Sequence, residues 1–253
     1  MSFPDAALTE DGFLGGRLKV LQPREGYRAA TDPVLLAAAC AAKAGQSVLE
    51  LGCGAGVASL CLGHRVAGLV QAGLELQPGY AELARRNAAA NGIALEVVEG
   101  DLAAMPAALR ARSFDHVIAN PPFYAADSGT AARDTGRETA LREATPLALW
   151  IDAGLKRLHP GGWLTVIHET RRLPDLLAAL PAERAGSITC LPLAGRAGAA
   201  PGRVILRARK GGRGAFTLLS PLALHDGARH DGDRNNFRAE IDEVLRNAAP
   251  IVF

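Results

Sequence analysis

Between residues 47 and 180, short apolar runs of strand length alternate with segments of helical periodicity. Strands separated by helices pair in parallel, each helix crossing over one face of the sheet. The strand runs fall at residues 47–51, 69–76, 95–99, 114–119 and 163–167. The helical segments fall at 57–66, 78–91, 102–111, 146–158 and 173–180. Pro78 sits where a first helical turn tolerates it, and Gly92 stops the same helix. Pro160-Gly161-Gly162 is expected to break the fourth helix before its strand. Residues 187–193 and 204–209 read as later strands able to form a hairpin, and 236–247 as a closing helix. The pattern predicts an α/β fold built on one open, mostly parallel sheet.

The residues before 47 stand outside this alternation. Gly15-Gly16, Gln22-Pro23 and Gly26 mark an irregular or hairpin lead-in, and Asp32 is expected to cap a helix with Pro33 in its first turn, running to Ala42. One hairpin and one helix cannot bury a core of their own. Residues 1–45 are therefore read as a cap packed on the core and 46–253 as the main domain, effectively one domain. With 49% hydrophobic and 21% charged residues the chain can build a substantial core. Cys40, Cys53, Cys61 and Cys190 form no C-x-x-C pair, so neither a zinc site nor a disulfide framework is expected. Asp5, Glu10 and Asp11 stand where a secretory signal needs positive charge, and the longest apolar run, near 33–42, is too short to span a bilayer. The expectation is a cytoplasmic protein without membrane or metal. A net charge of +2 neither demands nor excludes nucleic acid.

Three strand ends carry polar groups suited to a nucleoside. Glu50-Leu51-Gly52-Cys53-Gly54-Ala55-Gly56 follows the first strand, and its alternating glycines let backbone N–H groups approach a ligand at a helix N-terminus. Val57 stands where the nicotinamide fingerprint needs another glycine, which weakens a dehydrogenase reading; no Tyr-x-x-x-Lys pair supports one either. Glu75 ends the second strand, where an acid accepts hydrogen bonds from ribose hydroxyls. Asp101 follows the third strand and can accept from an adenine amine, although an Asp after Gly100 also suits a turn. The fourth strand runs into Asn120-Pro121-Pro122-Phe123. The prolines fix their own φ, remove two donors and keep the preceding residues extended. The result is a stiff bracket offering carbonyls, an amide and a ring to a planar amine.

In this order the elements resemble the Class I S-adenosyl-L-methionine-dependent methyltransferases, across most of the chain. The resemblance implies a Rossmann-like seven-stranded sheet, mostly parallel with a late antiparallel strand. It also implies S-adenosyl-L-methionine as cofactor. The Asn-Pro-Pro-aromatic motif narrows it to enzymes that methylate planar nitrogens, adenine N6 or a protein glutamine amide. Phe13 to Arg17, Gln22-Pro23 and the segment from Tyr27 to Leu36, with Arg28, Thr31, Asp32, Leu35 and Leu36, look like the lead-in of the tRNA1(Val) adenine-N6 methyltransferase family. Leu224-His225-Asp226-Gly227 resembles that family's closing segment. Glu50 departs conservatively from the family's aspartate.

The resemblance assigns roles. Gly52, Gly54 and Gly56 make room for the cofactor's methionine and ribose, Glu50 holds its ammonium, Glu75 its ribose and Asp101 its adenine amine. Thr31 and Asp32 close the pocket. The target adenine stacks on Phe123 while its amine donates to Asn120 and to the Pro121 carbonyl, with Pro122 stiffening the bracket. The expected substrate is RNA, a tRNA adenosine beside the anticodon. The alternative is a glutamine amide of a translation factor or ribosomal protein, in a family that carries a helical N-terminal substrate domain. Arg196, Arg203, Arg207, Arg209, Lys210 and Arg213 suit a phosphate track, and Arg133, Arg137 and Arg142 lie in a long segment after the bracket. His116, His168 and His225 lack metal spacing and read as structural.

Overall fold

The computed structural model describes residues 3–122, 124–125, 142–143, 145–227 and 236–252. The chain opens with a hairpin in which β1 (Leu8–Phe13) runs antiparallel to β2 (Leu18–Pro23). Gly15 and Gly16 take φ of +65° and +87° in its turn, values that a side chain resists. Leu18 and Val20 point inward and are buried, with exposed Lys19 between them. Buried Gln22 shapes the exit from the hairpin. Its side-chain Oε1 accepts the Ala29 N–H at 2.7 Å and its side-chain Nε2 donates to Asp11 at 2.7 Å. Arg28 tightens the same knot by donating to Thr9, to Asp11 and to the Pro23 carbonyl at 2.7, 2.6 and 2.8 Å.

The helix α1 (Thr31–Ala39) follows, shorter than expected. Asp32 lies inside its first turn and caps nothing; its carboxylate accepts instead from Arg203 at 2.9 Å. The alternation then unfolds as β3 (Ser47–Leu51), α2 (Val57–Arg65), β4 (Val70–Glu75), α3 (Pro78–Ala90), β5 (Glu96–Glu99), α4 (Ala107–Arg110) and β6 (Phe114–Ala119). Two short strands, β7 (Tyr124–Ala125) and β8 (Arg142–Glu143), pair in parallel. Next come α5 (Leu147–Arg157), β9 (Leu158–Glu169), α6 (Leu173–Ala178), β10 (Ala185–Arg196), β11 (Pro201–Lys210), β12 (Thr217–Leu218), β13 (Leu222–His225) and α7 (Ala239–Asn247).

Two local expectations are corrected. The helix foreseen over 102–111 is the single turn α4, because Pro106 holds the residue before it out of helical geometry. Pro160-Gly161-Gly162 does not separate α5 from its strand. These residues lie within β9, where Gly161 has φ +79° and the pairing with β6 shifts register between Phe114 and His116. The glycines thus serve a bulge.

Among the described residues the main sheet has the order β5-β4-β3-β6-β9-β11-β10, with β12 and β13 both on the outer edge of β10. β3, β4, β5, β6 and β9 are parallel, and β11 is antiparallel to both its neighbours. This is the mostly parallel α/β sheet with a late antiparallel strand read from the sequence. Side chains alternate between its faces. Val48, Ile118, Ile167 and Ile205 join one apolar cluster with Leu18, Val20, Leu36 and Leu60. Leu49, Leu51, Val117 and Val166 join another with Leu147, Ile151, Leu155 and Leu176. The hairpin shares the sheet's first cluster, and each fully buried Leu or Val there contributes about 1.5–3 kcal/mol. Chain order reverses around β3, with β4 on one side and β6 on the other, which opens a crevice at the carboxyl ends of these strands. Among the described residues no helix is long and apolar enough to cross a membrane.

Candidate active site

Register builds the crevice. Leu51 pairs with Leu74 on one side and Ala119 on the other. The next residues along the three strands, Gly52, Glu75 and Asn120, therefore stand side by side. A cavity opens there, and Glu50, Gly52, Gly54, Glu75, Asp101, Asn120, Pro121 and Pro122 all line it.

The three loop glycines answer different needs. A Cβ on Gly52 would lie 2.6 Å from Cη2 of Trp150, and φ there is +65°. Gly54, at φ +55°, lies under the Tyr27 ring, 3.7 Å from its would-be Cβ. Gly56 does not line the cavity; its φ is +86° and a Cβ would press on Ala84 of α3 at 3.3 Å. Its glycine serves the turn into α2. Cys53 fills the notch left by Gly73, whose Cβ would fall 2.7 Å from the sulfur. Burial raises that thiol well above its ordinary pKa, so it is held as an inert packing group.

The acids are held firmly. Glu50 is 3% exposed and accepts from the Ser59 N–H at 2.9 Å and the Ser59 hydroxyl at 2.5 Å. Burial pushes its pKa up to about 8 despite those bonds. Glu75 accepts from the Gly54 N–H at 2.9 Å and the Gln77 N–H at 2.8 Å, so it pins the glycine loop. Burial raises its pKa while the backbone donors oppose the rise. Asp101 is exposed and accepts the Ala103 N–H at 2.8 Å, closing a turn.

Thr31 and Asp32 are not among the cavity-lining residues. The N-terminal wall is made by Tyr27, Ala29 and Pro33. The Tyr80 hydroxyl donates to the Tyr27 carbonyl at 3.0 Å, and the two rings meet at 6.4 Å and 60°. Burial first, then Asp32 and Glu50, raise the Tyr27 hydroxyl pKa. Tyr27 lies in the segment quoted for the lead-in, yet its ring carried no polar pattern to single it out. Asn87 was also missed. Fully buried on α3, it accepts the Leu21 N–H at 2.8 Å and donates to the Leu21 and Ala55 carbonyls at 3.1 and 3.0 Å. It ties the hairpin to the glycine loop, and a lone Asn in an alanine-rich helix is its only signal.

At the bracket, the Asn120 side-chain oxygen is shielded from solvent and has no hydrogen-bond partner among the described residues. An acceptor in that state is poised for a donor that arrives with a ligand. Phe123 lies outside the described residues. Behind the bracket, fully buried His168 accepts the Glu169 N–H through Nδ1 at 2.8 Å and meets the Pro122 backbone. Burial lowers its pKa to about 4. His116 bonds Gln46 at 3.2 Å and His225 stacks on Phe237 at 4.5 Å. Asp115 accepts from the Ser47 N–H and hydroxyl, both at 2.8 Å, and Glu99 pairs with Arg85 at 2.8 Å.

The basic stretch is built largely into the fold. Arg203 pairs with Asp32, and Arg207 lies over the Trp163 ring at 4.6 Å. Arg209 donates to the Gly161 carbonyl at 3.0 Å and Lys210 to the Leu158 carbonyl at 2.6 Å. Arg196 donates to the Asp226 and Gly227 carbonyls. Five of the six basic side chains thus have partners within the fold, and Arg213 is exposed. Arg133 and Arg137 lie outside the described residues, and only the backbone of Arg142 is described, in β8.

Residues 30–179 match the family model of the methyltransferase small domain. A tRNA1(Val) (adenine(37)-N6)-methyltransferase of Porphyromonas gingivalis is 35% identical over 59% of this chain, and the match spans 61% of that relative's length. A release factor glutamine methyltransferase of Geobacter sulfurreducens is 30% identical over 58% of this chain and 52% of its own. Among solved structures, a predicted O-methyltransferase from Agrobacterium tumefaciens superposes with a TM-score of 0.69 at 25% identity, covering 87% of this chain and 98% of that one.

Proposed function

Because the chain belongs to the methyltransferase small domain family and takes S-adenosyl-L-methionine as its cofactor, we propose that it methylates the exocyclic N6 of an adenosine in tRNA, beside the anticodon. The observation that carries this reading is the Asn120 side-chain oxygen, desolvated and without a partner at the strand end next to the glycine loop. The relative named for adenine-37 of tRNA1(Val) supports the choice of base and of RNA. Residues 1–45, whose Leu14, Leu18, Val20 and Leu36 join the sheet's apolar cluster, are proposed to act as a cap on one methyltransferase domain in a cytoplasmic enzyme.

The cofactor supplies an electrophilic methyl group on a sulfonium. The residues present fit it: Gly52 and Gly54 keep the loop free of side chains where the cavity runs, and Glu50 and Glu75 stand on adjacent strands as acceptors. Glu50 takes the ammonium, Glu75 the ribose hydroxyls and Asp101 the adenine amine. Asn120 and the Pro121 carbonyl accept the two hydrogens of the target amine. That amine is a poor nucleophile because its lone pair is delocalised into the ring, and two acceptors favour the pyramidal form whose lone pair is free. Phe123 stacks the base. Positioning and acceptors aimed at the developing positive charge then drive an in-line displacement. The proton becomes acidic after transfer, so no strong base is needed.

The relative named for glutamine methylation keeps a second reading in view, since a glutamine amide presents the same planar nitrogen. Nucleoside mass spectrometry of tRNA and rRNA from cells lacking the protein tests the first. Loss of one N6-methyladenosine from a tRNA is expected. Intact RNA modification, with methyl label entering only protein in extracts, would reject the RNA reading.

A further inference from the structure

The geometry points to Trp150 as a further ligand-binding residue, its indole N–H donating to the carboxylate at the amino-acid end of S-adenosyl-L-methionine. This rests on the cofactor reading above. Trp150 belongs to α5, is 9% exposed, and lines the cavity with its ring edge against Gly52. Its Nε1–H is shielded from solvent and has no hydrogen-bond partner among the described residues. A buried donor left unpaired costs about 1–3 kcal/mol, and such groups are rare enough in folded proteins to call for an explanation. Phenylalanine would supply a similar apolar wall without that cost. The indole therefore carries a donor that the protein itself leaves unanswered.

The acceptor follows from what else lines the cavity. Among the described residues its ionisable lining includes Glu50, Glu75 and Asp101, with no lysine, arginine or histidine. Among the described residues a ligand carboxylate entering there meets no cation. Several amides of the loop are already engaged: Cys53 N–H on the Leu74 carbonyl at 3.0 Å, Gly54 N–H on Glu75 at 2.9 Å, and Gly56 N–H on the Cys53 carbonyl at 2.8 Å. A neutral donor is what an anion in an acid-lined cavity requires, and the indole provides one. Its place fits as well. Glu50 lies two residues before Gly52, across the end of β3, a span of about 6–7 Å. An ammonium held by Glu50 brings the carboxylate on the same carbon toward the cavity wall that Trp150 helps to form, while the Cη2–Cζ3 edge of the indole, opposite its N–H, packs on Gly52.

The test compares two ligands and two proteins by calorimetry: S-adenosyl-L-methionine and its decarboxylated analogue, each with wild type and Trp150→Phe. A hydrogen bond to a charged group is expected to be worth about tenfold or more in affinity. Trp150→Phe should therefore weaken the natural cofactor by that factor and leave the analogue within about twofold. Equal weakening of both ligands, or of neither, overturns the assignment. So does a variant whose cofactor affinities stand while its Michaelis constant for RNA rises, since the donor would then serve the target. A second measurement keeps the native indole. In Trp163→Phe, Trp150 is the sole tryptophan, and its emission under tryptophan-selective excitation should shift with the cofactor more than with the analogue; identical responses count against the inference. A wild-type protein that binds neither ligand would instead overturn the cofactor reading itself.

Discussion

The six-membered ring of Trp150 lies so close over Gly52 that a Cβ at that position would fall 2.6 Å from Cη2 and 3.0 Å from Cζ3. The first loop glycine is thus required twice, by this ring and by φ +65°. Gly52→Ala should destabilise the protein by about 2–4 kcal/mol, combining left-handed strain with overpacking. Phenylalanine at 150 is shorter and relieves the second term alone. The cost of Gly52→Ala should therefore fall by about 1 kcal/mol in a Trp150→Phe background, measured by urea unfolding in a double-mutant cycle. Strict additivity would show that the contact does not explain the glycine.

This pairing marks the border between what the sequence made legible and what it hid. The α/β alternation, the acids at strand ends and the Asn120-Pro121-Pro122 bracket are local patterns, and each could be read from spacing. The sheet then carries them to one crevice through register, as with Leu51 against Leu74 and Ala119. Gly56 could not be told from Gly52 and Gly54 by spacing, because its reason is Ala84, 28 positions away on α3. Trp150 and Tyr27 were hidden for the same cause: an aromatic ring becomes part of a site only through long-range packing. The partners of the basic stretch were hidden too, because charge in a sequence says nothing about the carbonyls and rings that engage it in the fold.

Glu50 gives the protein a pH dependence of defined sign. Its folded pKa of about 8 exceeds the ordinary 4.5, so the ligand-free native state holds a proton that the unfolded chain has lost. Stability from this group is fully present below about 4.5 and is lost as pH rises through about 8, with a slope of at most about 1.4 kcal/mol per pH unit. Urea unfolding between pH 5 and 8 should show the decline, and Glu50→Gln should flatten it. An ammonium beside Glu50 favours its ionised form, so cofactor binding below pH 8 should release a proton, visible as a buffer-dependent calorimetric enthalpy. An unchanged slope in Glu50→Gln would remove the group from this role.

Asn120→Ala separates chemistry from binding. The side chain touches the cavity through an oxygen that has no internal partner, so its loss should leave the fold and cofactor affinity nearly unchanged. Losing one group aimed at a developing charge lowers kcat by about 10²–10³-fold. Initial rates on tRNA with labelled cofactor check this, and a kcat within a few fold of wild type would remove Asn120 from the catalytic role.

Asp32 is expected to behave as a structural anchor. Its carboxylate pairs with Arg203, joining α1 to β11, with Arg203 also 3.8 Å from Glu169. The pair is partly exposed, so Asp32→Asn should cost about 1 kcal/mol or less. Cofactor affinity should stay within about twofold, because the residue does not line the cavity. A tenfold loss of affinity with stability unchanged would return Asp32 to the binding site.

Asn87 couples the hairpin to the site most directly. Its three hydrogen bonds reach the Leu21 N–H, the Leu21 carbonyl and the Ala55 carbonyl from a side chain with no solvent exposure. Asn87→Ala leaves buried backbone groups without partners, each worth about 1–3 kcal/mol, so a total loss of about 2–4 kcal/mol is expected in urea unfolding. Because Ala55 belongs to the glycine loop, the damage should extend to function: cofactor affinity falls, while hydrogen exchange at the Leu21 amide accelerates more than at Val48 in the central strand. Destabilisation with unchanged affinity and uniform exchange would mean that the hairpin and the loop are held together by apolar packing alone.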